Sequence, residues 1–220
     1  MKYLIVLESP SKVPKVVSII NKSNLPDTYI VKSSCGHIRD LDRKTLSIDV
    51  ENNFKPTYQI NEDKRQIVSD LKREFAKCDK LILGSDYDRE GESIGFHISE
   101  ILKIPKNERK RMVFTEITKN VIIKAIQEPV DLNMNMFNSQ QARRILDRLI
   151  GYKLSPLLWK NIQSSMKKGQ SLSAGRVQSV VNRIVIEREN EIKKFSSSGY
   201  YRTLGNFTNK KNTFECFLND

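Results

Sequence analysis

The sequence predicts an α/β protein: a doubly wound parallel sheet over residues 1–126, a helical domain over 127–196, and a start of β structure over 197–220. Three observations predict it. Tyr3–Leu7 and Leu81–Leu83 are unbroken apolar runs, the pattern of strands covered on both faces. Strand-like and helix-like segments alternate as far as Ile126. Beyond Glu128-Pro129 the period is helical, until Ser196-Ser197-Ser198-Gly199 breaks it.

Taken in order, the strand Tyr3–Leu7 gives way to Glu8-Ser9-Pro10-Ser11-Lys12 and a helix carrying Val13, Val16, Val17 and Ile20, with Pro14 tolerated in its first turn. Tyr29–Ser33 reads as a second strand, followed by the turn around Gly36 and by His37 and Arg39. Residues 42–60 are polar and irregular. Asn61 then caps a helix with Ile67, Leu71 and Phe75 on one face. Met112–Ile117 is a further strand, and Thr118 caps a helix with Val121, Ile122, Ala125 and Ile126. Residues 163–172, with Lys167-Lys168-Gly169, read as a basic loop. A helix opening in Leu172–Ser179 turns Val177, Val180, Val181, Ile184 and Val185 inward, and Tyr200–Phe217 makes two short strands about a polar turn.

The chemistry concentrates in Lys80–Glu92. Asp86, Asp88, Glu90 and Glu92 place four carboxylates within seven residues, where a strand gives way to a helix bearing Ile94, Ile98 and Ile101. Helix capping needs one or two acids, not an alternating set with Arg89 embedded in it. Closely spaced like charges are relieved by a cation with oxygen ligands, and Mg²⁺ suits a site of few carboxylates, water and phosphate. Glu8 also leaves a strand end, and ligands of open α/β sheets gather outside the carboxyl ends of strands, so Glu8 joins this set. Lys12 is either a surface lysine or a phosphate contact.

In the helix Asn138–Ile150, a turn of 100° per residue puts Arg143, Arg144, Asp147 and Arg148 on an arc of roughly 140°, opposite Ala142, Ile145, Leu146, Leu149 and Ile150. Three Arg without Lys favour phosphate forks over a merely solvated face, and Asp147 can hold a neighbouring Arg. Gly175 permits close backbone approach at a helix N-terminus, and Tyr152 and Trp159 lie among the basic elements, where base stacking on a single strand needs aromatics.

Composition agrees. Of a formal net charge of +12, residues 133–220 carry +9 (15 Lys and Arg against 6 Asp and Glu), which places a polyanion on the second half. Cys35, Cys78 and Cys216 are few, distant and in no CxxC pair, against a disulfide framework or structural zinc. No apolar run approaches 18 residues and no signal-peptide pattern opens the chain. The expectation from composition is a soluble, intracellular protein with no membrane.

These residues together resemble the N-terminal part of a type IA DNA topoisomerase. The motifs are LIVLESPSK at the start, SSCGHIRDL at 33–41, FKPTY at 54–58, the Toprim signature SDYDREGE, FTEIT at 114–118, QQARRILDRLIGYKLSPLLW at 140–159 and LSAGRVQSV at 172–180. The resemblance implies a Toprim domain with a Rossmann-like parallel sheet over 1–126, a helical domain gripping single-stranded DNA over 127–196, and the first strands of the β arch over 197–220. It implies that Glu8, Asp86 and Asp88 hold Mg²⁺, with Glu8 as acid/base, Lys12 steadying the scissile phosphate and Glu90 supporting the metal site. His37, Arg143, Arg144, Asp147, Tyr152, Trp159 and Ser173, Ala174, Gly175, Arg176, Val177 and Gln178 would line the DNA path. The resemblance also implies a cytoplasmic, DNA-associated monomer with no small-molecule substrate.

Enzymes of that family cut one strand by tyrosine attack, store the bond as a 5′ phosphotyrosine, pass a strand and religate. Tyr200-Tyr201-Arg202-Thr203 mimics the start of the family's tyrosine context, but Leu204-Gly205 does not complete it. The expectation is therefore that the nucleophile lies beyond residue 220 and that the isolated chain does not cleave. A Toprim nuclease or primase would use the same acids without a covalent adduct, and a pure binding module would show salt-dependent single-strand affinity and no chemistry.

Overall fold

The computed structural model describes residues 1–162 and 172–217, which fall into two compact units, Met1–Gly175 and Arg176–Asp220. Nearly all of the basic loop read at 163–172 lies outside the described residues. The first unit runs β1 (Lys2–Leu7), α1 (Val13–Asn21), β2 (Thr28–Ser33), the short strands β3 (Arg39–Leu41), β4 (Ile48–Asp49), β5 (Lys55–Pro56) and β6 (Tyr58–Ile60), α2 (Arg65–Phe75), β7 (Lys80–Gly84), α3 (Arg89–Ile101), β8 (Lys110–Arg111), α4 (Lys119–Gln127), β9 (Val130–Asp131) and α5 (Met134–Asn161).

The main sheet has the order β2-β1-β7-β8-β9, parallel except for β9. Apolar runs in β1 and β7 work because alternate side chains enter two cores. Leu4, Val6, Leu81 and Leu83 meet Val68 and Leu71 of α2 and Ile94 and Ile98 of α3. Ile5, Leu7 and Ile82 meet Val16 and Ile20 of α1 and Ile122 and Ile126 of α4. The register pairs Leu4 with Leu81 and Ile5 with Ile82, so each layer continues from strand to strand. This is the doubly wound arrangement the sequence predicts.

Three local expectations differ. Only Lys110–Arg111 pairs with β7, not the whole of Met112–Ile117, because β7 ends at Gly84: Met112 N still donates to Leu83 O at 2.9 Å, and no ladder partner follows. The polar region 42–60 contains short strands, since β3 pairs with β6 and β4 with β5. In α5 the expected division into a core face and a charged face is not kept, and Ile145, Leu149 and Ile150 are only half-buried. Ala142 and Leu146 are exposed, while the charged face holds the loop after β3: Arg148 donates to the carbonyls of Leu41, Asp42 and Thr45. A guanidinium satisfies several carbonyls that no apolar side chain could serve. At its start, α5 is capped by Asn133, and its Phe137 stacks on Phe96 of α3 with ring centroids 3.8 Å apart.

Below the sheet edge lies a buried ion pair. Arg111 of β8 is wholly buried and donates to Glu92 of α3, which is 2% exposed. Arg111 also donates to the carbonyls of Ser85 (2.8 Å) and Asp86 (2.9 Å), and Glu92 accepts from the backbone N–H of Asn133 at 3.1 Å.

The second unit contains α6 (Arg176–Lys194) and the antiparallel hairpin β10 (Leu204–Asn209) with β11 (Asn212–Phe217). Val177, Val180, Val181, Ile184 and Val185, expected to face inward, are exposed. An apolar stripe is buried only by a partner element, and the described part of this unit supplies a hairpin alone. Among the described residues no helix is long and apolar enough to cross a membrane.

Glu92→Leu leaves the Arg111 charge buried without its partner, which costs about 3–5 kcal/mol. The urea midpoint of the variant should drop accordingly; an unchanged midpoint would remove this pair from the account of stability.

Candidate metal and nucleic-acid site

Parallel pairing brings the carboxyl ends of β1 and β7 to one edge, and the acids leave the sheet there. Glu8 Oε2 accepts from the backbone N–H of Asp86 at 3.5 Å, and Lys12 Nζ is ion-paired with Asp86 Oδ1. Asp88 is the N-cap of α3 and accepts from Gly91 N at 2.7 Å. Ser85 Oγ donates to Gly91 O at 2.7 Å. This loop closes so tightly that a Cβ on Gly91 would lie 2.1 Å from Asp86 O, so only glycine fits there. Arg111 holds the same loop from beneath.

Glu8, Asp86 and Asp88 offer oxygen alone, the donor chemistry of a hard divalent cation that needs one or two carboxylates. Among the described residues no three acidic, His or Cys side chains form a ready-made cage. The Lys12 ammonium already neutralises Asp86, and Asp88 spends one oxygen on its helix cap. The residues fit such a cation, which would have to take Asp86 from Lys12. Glu90, expected to support the metal, points to another partner set: Oε2 accepts from Gln140 Nε2 at 3.2 Å and lies 3.0 Å from His37 Nε2.

Glu90 borders a polar cavity of ≈ 370 Å³ between α3, α5 and the β2–β3 loop. In it, Arg39 Nε donates to His97 Nδ1 at 2.6 Å and the guanidinium lies 5.4 Å over the Tyr58 ring. Tyr58 meets His97 edge-on at 4.5 Å. Buried first by its surroundings and set beside the charges of Arg39 and His37, His97 is held far below the usual histidine range, at about 3. Arg144 grips Asp40 through Nε (3.0 Å) and NH2. Arg143 lies 3.8 Å from Asp147.

Further along α5, a groove of ≈ 560 Å³ is bordered by Arg148, Tyr152, Ser155 and Trp159. The Tyr152 hydroxyl accepts from Arg148 at 3.0 Å and donates to Arg43 O at 2.6 Å, which leaves its ring at the groove. Trp159, half exposed, donates to Leu172 O, and Ala174 N donates to Ser155 Oγ at 3.0 Å. Of the LSAGRVQS residues, Ser173, Ala174 and Gly175 close the first unit, whereas Arg176, Val177 and Gln178 open α6 in the second. Tyr200 and Tyr201 precede β10 and are exposed.

The structure thus brings Glu8, Lys12, Asp86 and Asp88 to one sheet edge, and His37, Glu90, Arg143, Arg144 and Asp147 to the adjoining cavity. Sequence reading did not place Arg39, His97 or Gln140 at the site. Gln140 stands in the QQARR motif and Arg39 in HIRDL, but His97 lies inside an ordinary amphipathic helix and carries no local signal.

Residues 3–117 match the Toprim domain family and residues 131–219 match the DNA topoisomerase family. Full-length topoisomerase I from Thermotoga maritima is similar in structure, with a TM-score of 0.79 and 40% sequence identity, covering 91% of this chain and 32% of that one. The chain spans about a third of that relative's length.

The His97 shift has a sign. The unfolded imidazole gains its proton near 6.5 and the folded one only near 3, so protonation favours unfolding between these values. Stability present above about pH 6.5 is lost as pH falls toward 3. Thermal midpoints measured from pH 7 to 4 should fall, and His97→Asn should flatten that fall; an equal slope in both proteins would refute the assignment.

Proposed function

The chain belongs to the Toprim domain family, and from that premise we propose that it is the N-terminal part of a type IA DNA topoisomerase and supplies the Mg²⁺ site and the single-strand grip of a cleavage and religation reaction that relaxes negatively supercoiled DNA. The observation that carries this reading is the shared edge: the acids at the ends of β1 and β7 adjoin, through Glu90, the arginine face of α5.

The proposed division of labour follows from the contacts. Tyr152 and Trp159 at the groove receive unstacked bases, and the basic groups about them meet the backbone. When a strand arrives, Lys12 exchanges Asp86 for a phosphate, which frees the Asp86 carboxylate. Asp86, Asp88 and Glu8 would hold a divalent cation, whose chemistry there would be charge neutralisation at that phosphate. Glu8, whose carboxyl sits against the Asp86 backbone, is placed to give a proton to the leaving 3′ oxygen and to recover it on religation. The attacking tyrosine is assigned to neither Tyr200 nor Tyr201. In the cell this protein acts as a monomer on DNA in the cytoplasm.

The test uses a labelled single-stranded oligonucleotide and the 220-residue chain. Affinity should fall with salt, and a denaturing gel with Mg²⁺ should show no covalent adduct. An adduct lost in Tyr200→Phe would overturn the assignment of the nucleophile, and metal-dependent cutting without an adduct would mark a nuclease. In calorimetry, Asp86→Asn with Asp88→Asn should abolish Mg²⁺ uptake while metal-free strand binding is kept or strengthened, since Lys12 no longer has to leave Asp86 to meet a phosphate.

A further inference from the structure

Each carboxylate bordering the polar cavity already has a partner, whereas one of its guanidinium groups, that of Arg39, has no counter-ion among the described residues. Asp40 is gripped by Arg144, Glu90 lies against His37 and Gln140, and Asp147 faces Arg143. Glu100, whose charge also acts on Arg39, is ion-paired with Arg109 at 2.5 Å. Arg39 spends its Nε–H on His97, and among the described residues no carboxylate lies within ion-pair reach of it and no acceptor takes its terminal N–H groups.

A half-buried cation without a counter-ion is costly, so this position favours an anion. The geometry suits one. The Tyr58 ring lies 5.4 Å from the guanidinium carbon, and the Nε contact with His97 restrains its rotation. Its terminal N–H pair is left for the two oxygens that an arginine fork matches best. Arginine Nε can only donate, so His97 Nδ1 must carry a lone pair and the ring must be neutral; burial keeps it so. Arg144 and Arg148, by contrast, spend their donors within the protein, on Asp40 and on the carbonyls of the loop after β3.

We infer that Arg39 binds a backbone phosphate of the DNA strand in this cavity and that His97 is its positioning residue. The inference rests on the proposed single-strand binding and adds a contact that the arginines of α5 do not provide.

Fluorescence anisotropy with an oligo(dT) probe across a salt series tests it. Arg39→Gln should weaken binding about tenfold, the loss of one charged hydrogen-bonded contact. The slope of log affinity against log salt should become shallower by about 0.7, as for one phosphate released on a single strand. Arg39→Lys, which keeps the charge but has no Nε–H for His97, should restore the slope and only part of the affinity. His97→Asn keeps an acceptor near the Nδ1 position and should bind like the parent; His97→Leu should behave like Arg39→Gln. If the parent binds and Arg39→Gln matches it in affinity and slope, this inference fails while strand binding stands. If the parent does not bind, both fail. If affinity in the His97 variants instead tracks their thermal midpoints, the positioning role is overturned. Exchanging chloride for inorganic phosphate at equal ionic strength should leave parent affinity unchanged; a loss seen in the parent and absent in Arg39→Gln would make free phosphate the ligand instead.

Discussion

Arg111 is wholly enclosed by protein, and its charge is tolerable there because Glu92, almost as deeply enclosed, faces it. What the pair does with its remaining atoms matters as much. The guanidinium reaches the carbonyls of Ser85 and Asp86, and the carboxylate reaches the first backbone N–H at the entrance to α5. One ion pair therefore fixes the acidic loop to β8 and α3 and ties the start of α5 to the same point. The position of the acids and the position of α5 are two outputs of a single buried contact.

A second regularity runs through the site: much of its charge is internally matched. Lys12 is paired with Asp86, Arg144 with Asp40, and Arg148 with backbone carbonyls. Such pairs keep a densely charged surface from repelling itself, and each can be exchanged when a phosphate or a cation offers a better partner. Net basic charge favours a polyanion, and in the proposed reading the groups that would bind it are those whose internal pairings are weakest.

Periodicity made the sheet legible. Runs such as Tyr3–Leu7 read as strands covered on both sides, and the structure buries them against two cores. The faces of α5 were not legible, because a helical wheel separates charged from apolar residues without saying which side docks; Arg148 found backbone carbonyls to serve and Arg144 the Asp40 carboxylate, so the charged side packs as well. The extent of β8 was hidden for a different reason: Met112 and Phe114 are buried, as a strand would require, but pairing stops where β7 stops. His97 was invisible because its role depends on Arg39, 58 positions away in sequence.

The loop after β3 has one more consequence. Arg148 gathers three of its carbonyls and Tyr152 a fourth, much as a bound ion organises a flexible segment. The conformational entropy of that loop is thus spent when the chain folds, before any strand arrives. A ligand moving along α5 meets a wall already set in shape, so little of its interaction energy is diverted to ordering protein, and a mismatch in the strand cannot be absorbed by local yielding. Under the proposed single-strand binding, selectivity for an extended, unpaired backbone would arise from stiffness, with no residue reading a base.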